Sequence, residues 1–183
     1  MRVIILFFII LLITGCAYPV LITCIAKIFW AEKSTGSIIK ENNIIIGSAL
    51  IAQDFTQDYY FWPRPSANNY KTIPSSASNL GPTSLELKNI INKRKEILAS
   101  AHKSDQSQIP ENLLMSSGSG LDPHILLSAV RFQAMRVIES RKLNNIQKKE
   151  LEELIIKNTS KNNLTNVLTL NLALDQSFGK ISL

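Results

Sequence analysis

The sequence lacks the residues from which several common kinds of site are built. Its two cysteines, Cys16 and Cys24, both lie in an apolar N-terminal run, so the polar remainder can form neither a disulfide nor a thiol site. Its two histidines, His102 and His124, do not have the H-E-x-x-H spacing of a zinc protease. The sequence shows no phosphate-binding G-x-x-x-x-G-K-[ST] loop and no nucleic-acid-binding module. We therefore predict no metal ligand set, no catalytic residue and no nucleic acid partner.

A long segment near the N-terminus lacks charge, because Val3 to Ala26 contain no charged residue. At about 1.5 Å per residue, a helix of this length spans roughly 36 Å, which exceeds the roughly 30 Å hydrocarbon core of a bilayer. Phe29 and Trp30 follow and suit the aromatic belt at the membrane–water interface. The sequence thus predicts a transmembrane anchor in residues 1–30 that contacts membrane lipid, and one domain in residues 31–183.

Two alternatives compete with a retained span. A cleaved signal peptide would have an apolar core of about 7–15 residues, which is shorter than this run. Leu12 to Cys16 resemble a lipobox and suggest a lipoprotein, but the apolar run continues beyond Cys16 to Ile25. Length and composition therefore favour a span that stays in the membrane.

The predicted span has two features that bear on packing and shape. Gly15 would allow a partner helix to approach closely, and Pro19 would kink the helix. Its orientation is not fixed by charge, because Arg2 and the free N-terminal amine on one side balance Lys27 and Lys33 on the other.

The polar part has strand signals at both ends and helix signals between them, which indicates an α+β domain. Residues 42–55 indicate a strand region with a bulge or turn at Gly47. Residues 59–66 are aromatic and proline-containing and predict a loop that caps the core. A helix is predicted over 146–157, and leucines at alternate positions predict a strand over 166–175.

Two further helices are predicted from their start signals. Thr83 with Glu86 three residues later indicates a capping box, followed by an amphipathic helix that ends near a solvated His102. Asp122 and Pro123 indicate a second helix, with Asp122 as its N-cap and Pro123 in its first turn.

The densest polar cluster is Ser-Gly-Ser-Gly-Leu-Asp-Pro-His at residues 117–124. Its spacing is not that of a G-x-S-x-G elbow, and Ser119, Asp122 and His124 are too close in sequence to converge as a triad. Its backbone N–H groups could form an anion nest at a helix N-terminus, although Asp122 as N-cap would already neutralise that end. A glycine-rich turn before a capped helix is the alternative.

Several stretches in fixed order resemble the C subunit of the Kdp potassium-transporting ATPase. The resemblance covers nearly the whole chain, with departures at Trp62-Pro63, at Leu126-Leu127 and in a shortened segment before Asn166. The stretches are Gly15 to Pro19, Gly47 to Phe55, Tyr60 to Ala67, Ser75 to Thr83, Ser117 to Ile125 with Gln133 and Arg136-Val137, and Asn166 to Asp175.

The resemblance implies a single-pass protein of the bacterial inner membrane with an extracytoplasmic domain. It implies an accessory, non-enzymatic subunit beside a channel-like potassium-translocating subunit and a P-type ATPase subunit. It also implies a catalytic chaperone that raises the ATP affinity of the ATPase subunit, with no tightly bound cofactor and with ATP reached through that partner. Because an outward domain cannot touch cytoplasmic ATP across about 30 Å of hydrocarbon, we expect assembly and stabilisation to outweigh direct nucleotide contact.

The candidates for contact with a partner or nucleotide lie in the span and in the polar loops. They are Gly15, Tyr18, Pro19, Gln53, Arg64, Ser117, Gly118, Ser119, Gly120, Asp122 and His124. Two alternative functions stay open on the sequence alone. One is an exported lipoprotein or membrane-anchored enzyme unrelated to transport, and the other is a nucleotide-binding regulator acting through residues 117–124.

Overall fold

The computed structural model describes residues 1–181. The chain divides into two compact units, Met1–Ser48 and Ala49–Leu183. The first contains one long apolar helix and a hairpin, and the second contains helices with one short sheet. The predicted mixture of helices and strands is confirmed.

The N-terminal helix runs over Arg2–Phe29, long and apolar enough to cross a membrane, with no residue buried inside the protein. It consists of α1 (Arg2–Leu12), a π-helical turn (Ile13–Ala17) and α2 (Tyr18–Phe29). The π turn has a local cause in Pro19, which has no N–H and whose ring would crowd the carbonyl of Gly15.

A short helix and a hairpin complete the first unit. α3 (Ala31–Ser34) is followed by antiparallel β1 (Ile38–Glu41) and β2 (Ile44–Ser48). Ile39 pairs with Gly47 and Lys40 with Ile45, so β2 has one extra residue between these pairs. This irregularity is the bulge predicted near Gly47, but the strand occupies only the middle of the predicted 42–55 region.

Most elements of the second unit are helices. α4 is Leu85–His102, α5 is Leu127–Arg141, α6 is Asn145–Lys157 and α7 is Val167–Phe178. Two 3₁₀ turns lie at Gln106–Gln108 and Glu111–Leu113. The antiparallel strands β3 (His124–Leu126) and β4 (Leu164–Asn166) precede α5 and α7.

The core of the second unit lies between these helices and the aromatic loop. Phe61 is fully buried, which confirms that residues 59–66 cap the core. Val130 and Val137 of α5, Ile155 of α6 and Leu170 of α7 are also fully buried. The loop is therefore an integral part of the packing.

The predicted strand over 166–175 is wrong, because Val167–Phe178 is a helix. Alternating leucines also fit a helix here, since Val167, Leu170 and Leu174 recur at helical spacing and are all buried. Asn166 caps the helix by accepting a hydrogen bond from the Thr169 N–H at 3.2 Å. Asn166, as an N-cap residue, is the sequence signal that favours a helix over a strand here.

The helix predicted to start at Asp122-Pro123 begins later, at Leu127. β3 intervenes because His124 pairs with Asn166 and Leu126 with Leu164 of β4. A pairing between segments so distant in the chain cannot be read from a local cap signal. Asp122 is therefore not an N-cap.

The capping box predicted from Thr83 to Glu86 is also wrong, because the N-cap of α4 is the next residue. Ser84 is the N-cap of α4, and its hydroxyl accepts from the Leu87 N–H at 3.3 Å. The predicted end of this helix near His102 and the helix predicted over 146–157 are confirmed.

Candidate functional site

The polar cluster at residues 117–124 is centred on an ion pair. Arg64 donates to Asp122 Oδ2 at 3.0 Å and also points at the carbonyl of Ser116 at 3.4 Å. Asp122 Oδ1 accepts from the His124 N–H at 3.0 Å and lies 3.4 Å from His124 Nδ1. One carboxylate thus joins the proline-rich loop to the start of β3.

Gly120 lies where the cluster meets the loop over residues 66–76. Its φ is +71°, and a Cβ there would lie 2.7 Å from the Ser76 carbonyl oxygen and 2.8 Å from Asn68 Oδ1. Only glycine fits this combination of backbone conformation and close approach. Gly118 is different, because a Cβ there would meet nothing within 4 Å.

The serines of the cluster bond to the local backbone. Buried Ser117 accepts from the Asp122 N–H at 3.4 Å, and exposed Ser119 accepts from the Leu121 N–H at 3.1 Å. Gln53 is brought close to the cluster, because its neighbour Ala52 donates to the Leu121 carbonyl at 2.9 Å. No helix starts here, so the predicted anion nest has no helix N-terminus behind it.

Gly15, Tyr18 and Pro19 form a separate candidate surface in the first unit. All are exposed on the span, and a Cβ at Gly15 would meet nothing within 4 Å. Within residues 1–181 nothing lies within 4 Å of a Cβ at Gly15, so this face can pack against lipid or another helix. Contact of any of the candidate residues with a partner stays a prediction.

Sequence reasoning missed a buried arginine that organises the aromatic loop. Arg136 of α5 lies 4.0 Å from the Trp62 ring centre and donates to the carbonyls of Asp58 and Tyr60. Burial lowers the pKa of Arg136 to about 10. The guanidinium of Arg136 thus supplies hydrogen-bond donors to the carbonyls of the aromatic loop, which in a strand would be supplied by a neighbouring strand.

His102 belongs to the same network and is not solvated as predicted. Its Nδ1 lies 2.9 Å from the Leu98 carbonyl, and its Nε2 accepts from Arg136 Nε at 3.1 Å. Burial, together with the nearby charge of Arg136, lowers the pKa of His102 to about 4. The imidazole is therefore neutral at pH 7.

A second arginine, Arg141, holds Tyr59 and Tyr60 of the aromatic loop in place. It pairs with Asp175 at 2.6 Å, and the two side chains are only 1% and 10% exposed. Arg141 also donates to the Tyr59 carbonyl at 2.8 Å, and the Tyr60 hydroxyl donates to Asp175 at 2.5 Å. Burial raises the pKa of the Tyr60 hydroxyl, with the Asp175 carboxylate adding to it. The tyrosine therefore stays neutral.

Two side-chain amides complete the attachment of the loop. Asn171 accepts from the Phe61 N–H and donates to the Phe61 carbonyl, both at 2.9 Å. Gln133 does the same for Trp62 at 2.7 and 3.1 Å. Polar residues at buried positions of α5 and α7 were the available signal, because a buried amide needs partners.

A groove of about 540 Å³ lies beside the aromatic loop. Two of its polar groups are engaged within the chain, since Tyr70 donates to the Arg64 carbonyl and Arg94 donates to the Leu114 carbonyl. Burial raises the pKa of Tyr70 and lowers that of Arg94. The remaining wall includes Phe55, Trp62, Pro63, Pro65, Ile97, Leu98 and Leu113.

No group of three or more His, Cys, Asp or Glu within residues 1–181 could hold a metal ion. The polar side chains of the second unit mainly bond to its own backbone. These hydrogen bonds hold the loops of the second unit in fixed positions. This arrangement suits a binding surface better than a catalytic site.

The profile of one protein family, described as "KdpC: K+-transporting ATPase, c chain", matches residues 1–176. The chain belongs to this family. Curated relatives agree with it. The "Potassium-transporting ATPase KdpC subunit" of Leptospira interrogans is 46% identical over 93% of this chain and 90% of the relative. Its counterpart in Rhodospirillum rubrum is 42% identical over 91% and 90%, and that of Polynucleobacter asymbioticus is 41% identical over 93% and 94%.

Membership of the KdpC family confirms the resemblance on which the sequence prediction depended. It supports a role in potassium transport for a chain that carries a membrane-anchoring helix. A KdpC subunit belongs to a larger ATPase complex, so partner subunits are implied. An exported lipoprotein or an enzyme unrelated to transport is not favoured.

Proposed function

We propose that this chain is a non-catalytic subunit that assembles and stabilises an ATP-driven potassium uptake complex. Its partners are a channel-like potassium-translocating subunit and a P-type ATPase subunit in a bacterial inner membrane. The observation that carries the proposal is a 28-residue apolar helix with no buried residue in a KdpC family member. An apolar helix with no buried residue needs lipid or other helices around it.

The assembly role is assigned to the face of the span around Gly15. A glycine lets two helix backbones approach closely, and the space above it is empty in this chain. Gly15→Leu should therefore leave the chain itself intact but keep a partner helix at a distance. We expect loss of the partner subunits on affinity purification and slower potassium uptake.

Cys24→Leu is the matched control for Gly15→Leu. It also places a leucine on an exposed position of the span, and at 3.6 residues per turn it lies on roughly the opposite side of the helix. Complex recovery and uptake at wild-type levels with Gly15→Leu would remove the packing role. Equal losses with both variants would assign the effect to general disturbance of the span.

The second unit is assigned to the extracytoplasmic side, where it covers the outer face of the channel-like subunit. The cysteine positions make this testable, because both thiols lie in the span. In a Cys16→Ala/Cys24→Ala background, Lys161→Cys at the exposed turn before β4 gives one reporter. A membrane-impermeant maleimide should label it in intact right-side-out vesicles. Labelling only after permeabilisation would place the domain inside.

The effect on ATP is assigned to coupling through the membrane helices. The alternative, direct binding at residues 117–124, lacks a free anion site, since Asp122 supplies a carboxylate and the serines bond to local N–H groups. We expect azido-ATP to label the ATPase subunit and not this chain. We also expect the ATPase to bind ATP more weakly when this chain is removed. Specific labelling of residues 117–124 would favour the nucleotide-binding regulator.

A further inference from the structure

The β1–β2 hairpin carries apolar side chains that are largely exposed in the part of the chain that the structure describes. Ile44 is 71% exposed and Ile45 is 61% exposed, and as neighbours in β2 they lie on opposite faces of the hairpin. None of residues 1–48 is buried, so the hairpin belongs to a unit without a core. A two-stranded hairpin is marginally stable by itself in water, which indicates that its surroundings stabilise it.

The base of the hairpin is held close to the end of the membrane helix. The helix ends at Phe29, and α3 occupies Ala31–Ser34. The Ser37 N–H donates to the Glu32 carbonyl at 3.0 Å, which folds the chain back on α3. Ser48 then donates to the Gly36 carbonyl at 2.7 Å and fixes the returning strand to the same turn.

This connection limits how far the hairpin can lie from the lipid. The rings of Phe29 and Trp30 lie 5.9 Å apart, centre to centre, at an angle of 52°, and both residues suit the level of the headgroups. From Ser34 to Ile38 an extended chain covers at most roughly 14 Å. The polar headgroup layer is itself roughly 5–8 Å thick on each side of the hydrocarbon core. The hairpin therefore starts within reach of the membrane surface.

The side chains suit a lipid interface. Lys40 pairs directly with Ile45 across the hairpin, so an ammonium group and an apolar side chain share one face. A lysine can lay its stem along apolar surface while its charge stays among headgroups. The nearby charges almost cancel, so apolar contact should contribute more to binding than anionic lipid does.

We propose that the β1–β2 hairpin lies in the headgroup region of the bilayer, with the face that carries Lys40 and Ile45 toward the lipid and Ile45 inserted at the acyl boundary, as a second attachment beside the span. This inference rests on the span lying in lipid and does not depend on the potassium complex. The hairpin would hold the emerging chain at the membrane surface and restrict its tilt.

The test uses the full chain in the Cys16→Ala/Cys24→Ala background, reconstituted in phosphatidylcholine–phosphatidylglycerol vesicles. Ile45→Cys carries an NBD fluorophore, whose emission shifts to the blue in lipid. We expect a blue shift, and quenching by lipids with a nitroxide near the headgroup that exceeds quenching by nitroxide deep in the chains. Lys161→Cys with the same label should show water-like emission. Ile38→Asn added to the Ile45→Cys chain should reduce the blue shift, because Ile38 is exposed on the same face as Lys40 and Ile45.

Two results would overturn the proposal. Water-like emission from residue 45 in a chain that floats with the vesicles would place the hairpin in solvent. A blue shift that appears only after the partner subunits are added, without quenching by shallow nitroxide lipid, would assign the hairpin to a protein interface. Neither result would affect the proposed role in potassium transport.

Discussion

Gly120→Ala should destabilise the second unit at the point where the cluster over residues 117–124 meets the loop over residues 66–76. At a φ of +71°, a residue with a Cβ loses about 1–2 kcal/mol relative to glycine. The new Cβ would also lie 2.7 Å from the Ser76 carbonyl oxygen and 2.8 Å from Asn68 Oδ1, so the loop must move.

Movement of the loop releases the hydrogen bonds that Asn68 makes. Its Nδ2 donates to the Lys71 carbonyl at 2.7 Å and to the Pro74 carbonyl at 2.6 Å. At about 1 kcal/mol for each bond, the total destabilisation is about 3–4 kcal/mol. This corresponds to a fall in the unfolding midpoint on the order of 10 °C for a domain of this size.

Two assays measure this effect on the purified full chain. Tryptophan fluorescence follows thermal unfolding, since Trp62 lies in the loop that caps the core. Trypsin reports loop release, because Lys71 is exposed and its carbonyl is one of the Asn68 acceptors. We expect an earlier midpoint and faster cleavage after Lys71 with Gly120→Ala.

Gly118→Ala is the matched control, since Gly118 has an ordinary φ and open space at its Cβ. It should behave like the wild type in both assays. If Gly120→Ala matches the wild type as well, the close packing of Gly120 against Ser76 does not hold the loop.

The remaining predictions concern the groups that fix the aromatic loop. Arg141→Met should lower the free energy of unfolding by about 3–5 kcal/mol because Asp175 stays buried without its partner, and adding Asp175→Leu should recover part of the loss in denaturant titrations. Asn171→Leu should lower it by about 2–5 kcal/mol because the N–H and C=O of Phe61 lose their partners, and the same titrations measure this. His102 has a pKa lowered to about 4, so the unfolded chain binds more protons between pH 6.5 and pH 4; stability should fall as pH falls through this window, and His102→Gln should flatten the fall in thermal melts at each pH.

Local sequence signals were sufficient where an element is decided by its own residues. The span follows from the uncharged run between Val3 and Ala26, and α6 follows from the apolar spacing over Asn145–Lys157. The bulge near Gly47 follows from a glycine within a β-branched run. In each case the hydrophobic pattern and the local chemistry point to the same structure.

Signals failed where distant segments determine the structure. β3 exists because Leu164–Asn166 pairs with it, and this displaced the helix expected at Asp122. The leucines of α7 alternate and also recur at helical spacing, so a short window could not separate strand from helix.

The candidate site divides in the same way. The sequence identified the polar segment 117–124 and Arg64, and the structure brings them together through the Arg64–Asp122 ion pair. It could not show that Arg136 and Arg141 reach the aromatic loop, because those contacts join residues far apart in the chain. An arginine on a helix is usually solvated, and only the fold reveals that these two are buried.

Purification of the tagged chain from native membranes in mild detergent, with mass spectrometry of the associated proteins, tests the subunit assignment most directly. We predict that a channel-like potassium-translocating protein and a P-type ATPase copurify in equal proportion, and that Gly15→Leu reduces both while Cys24→Leu does not. A full-length chain that purifies alone from membranes in which both other proteins are present would contradict the assignment.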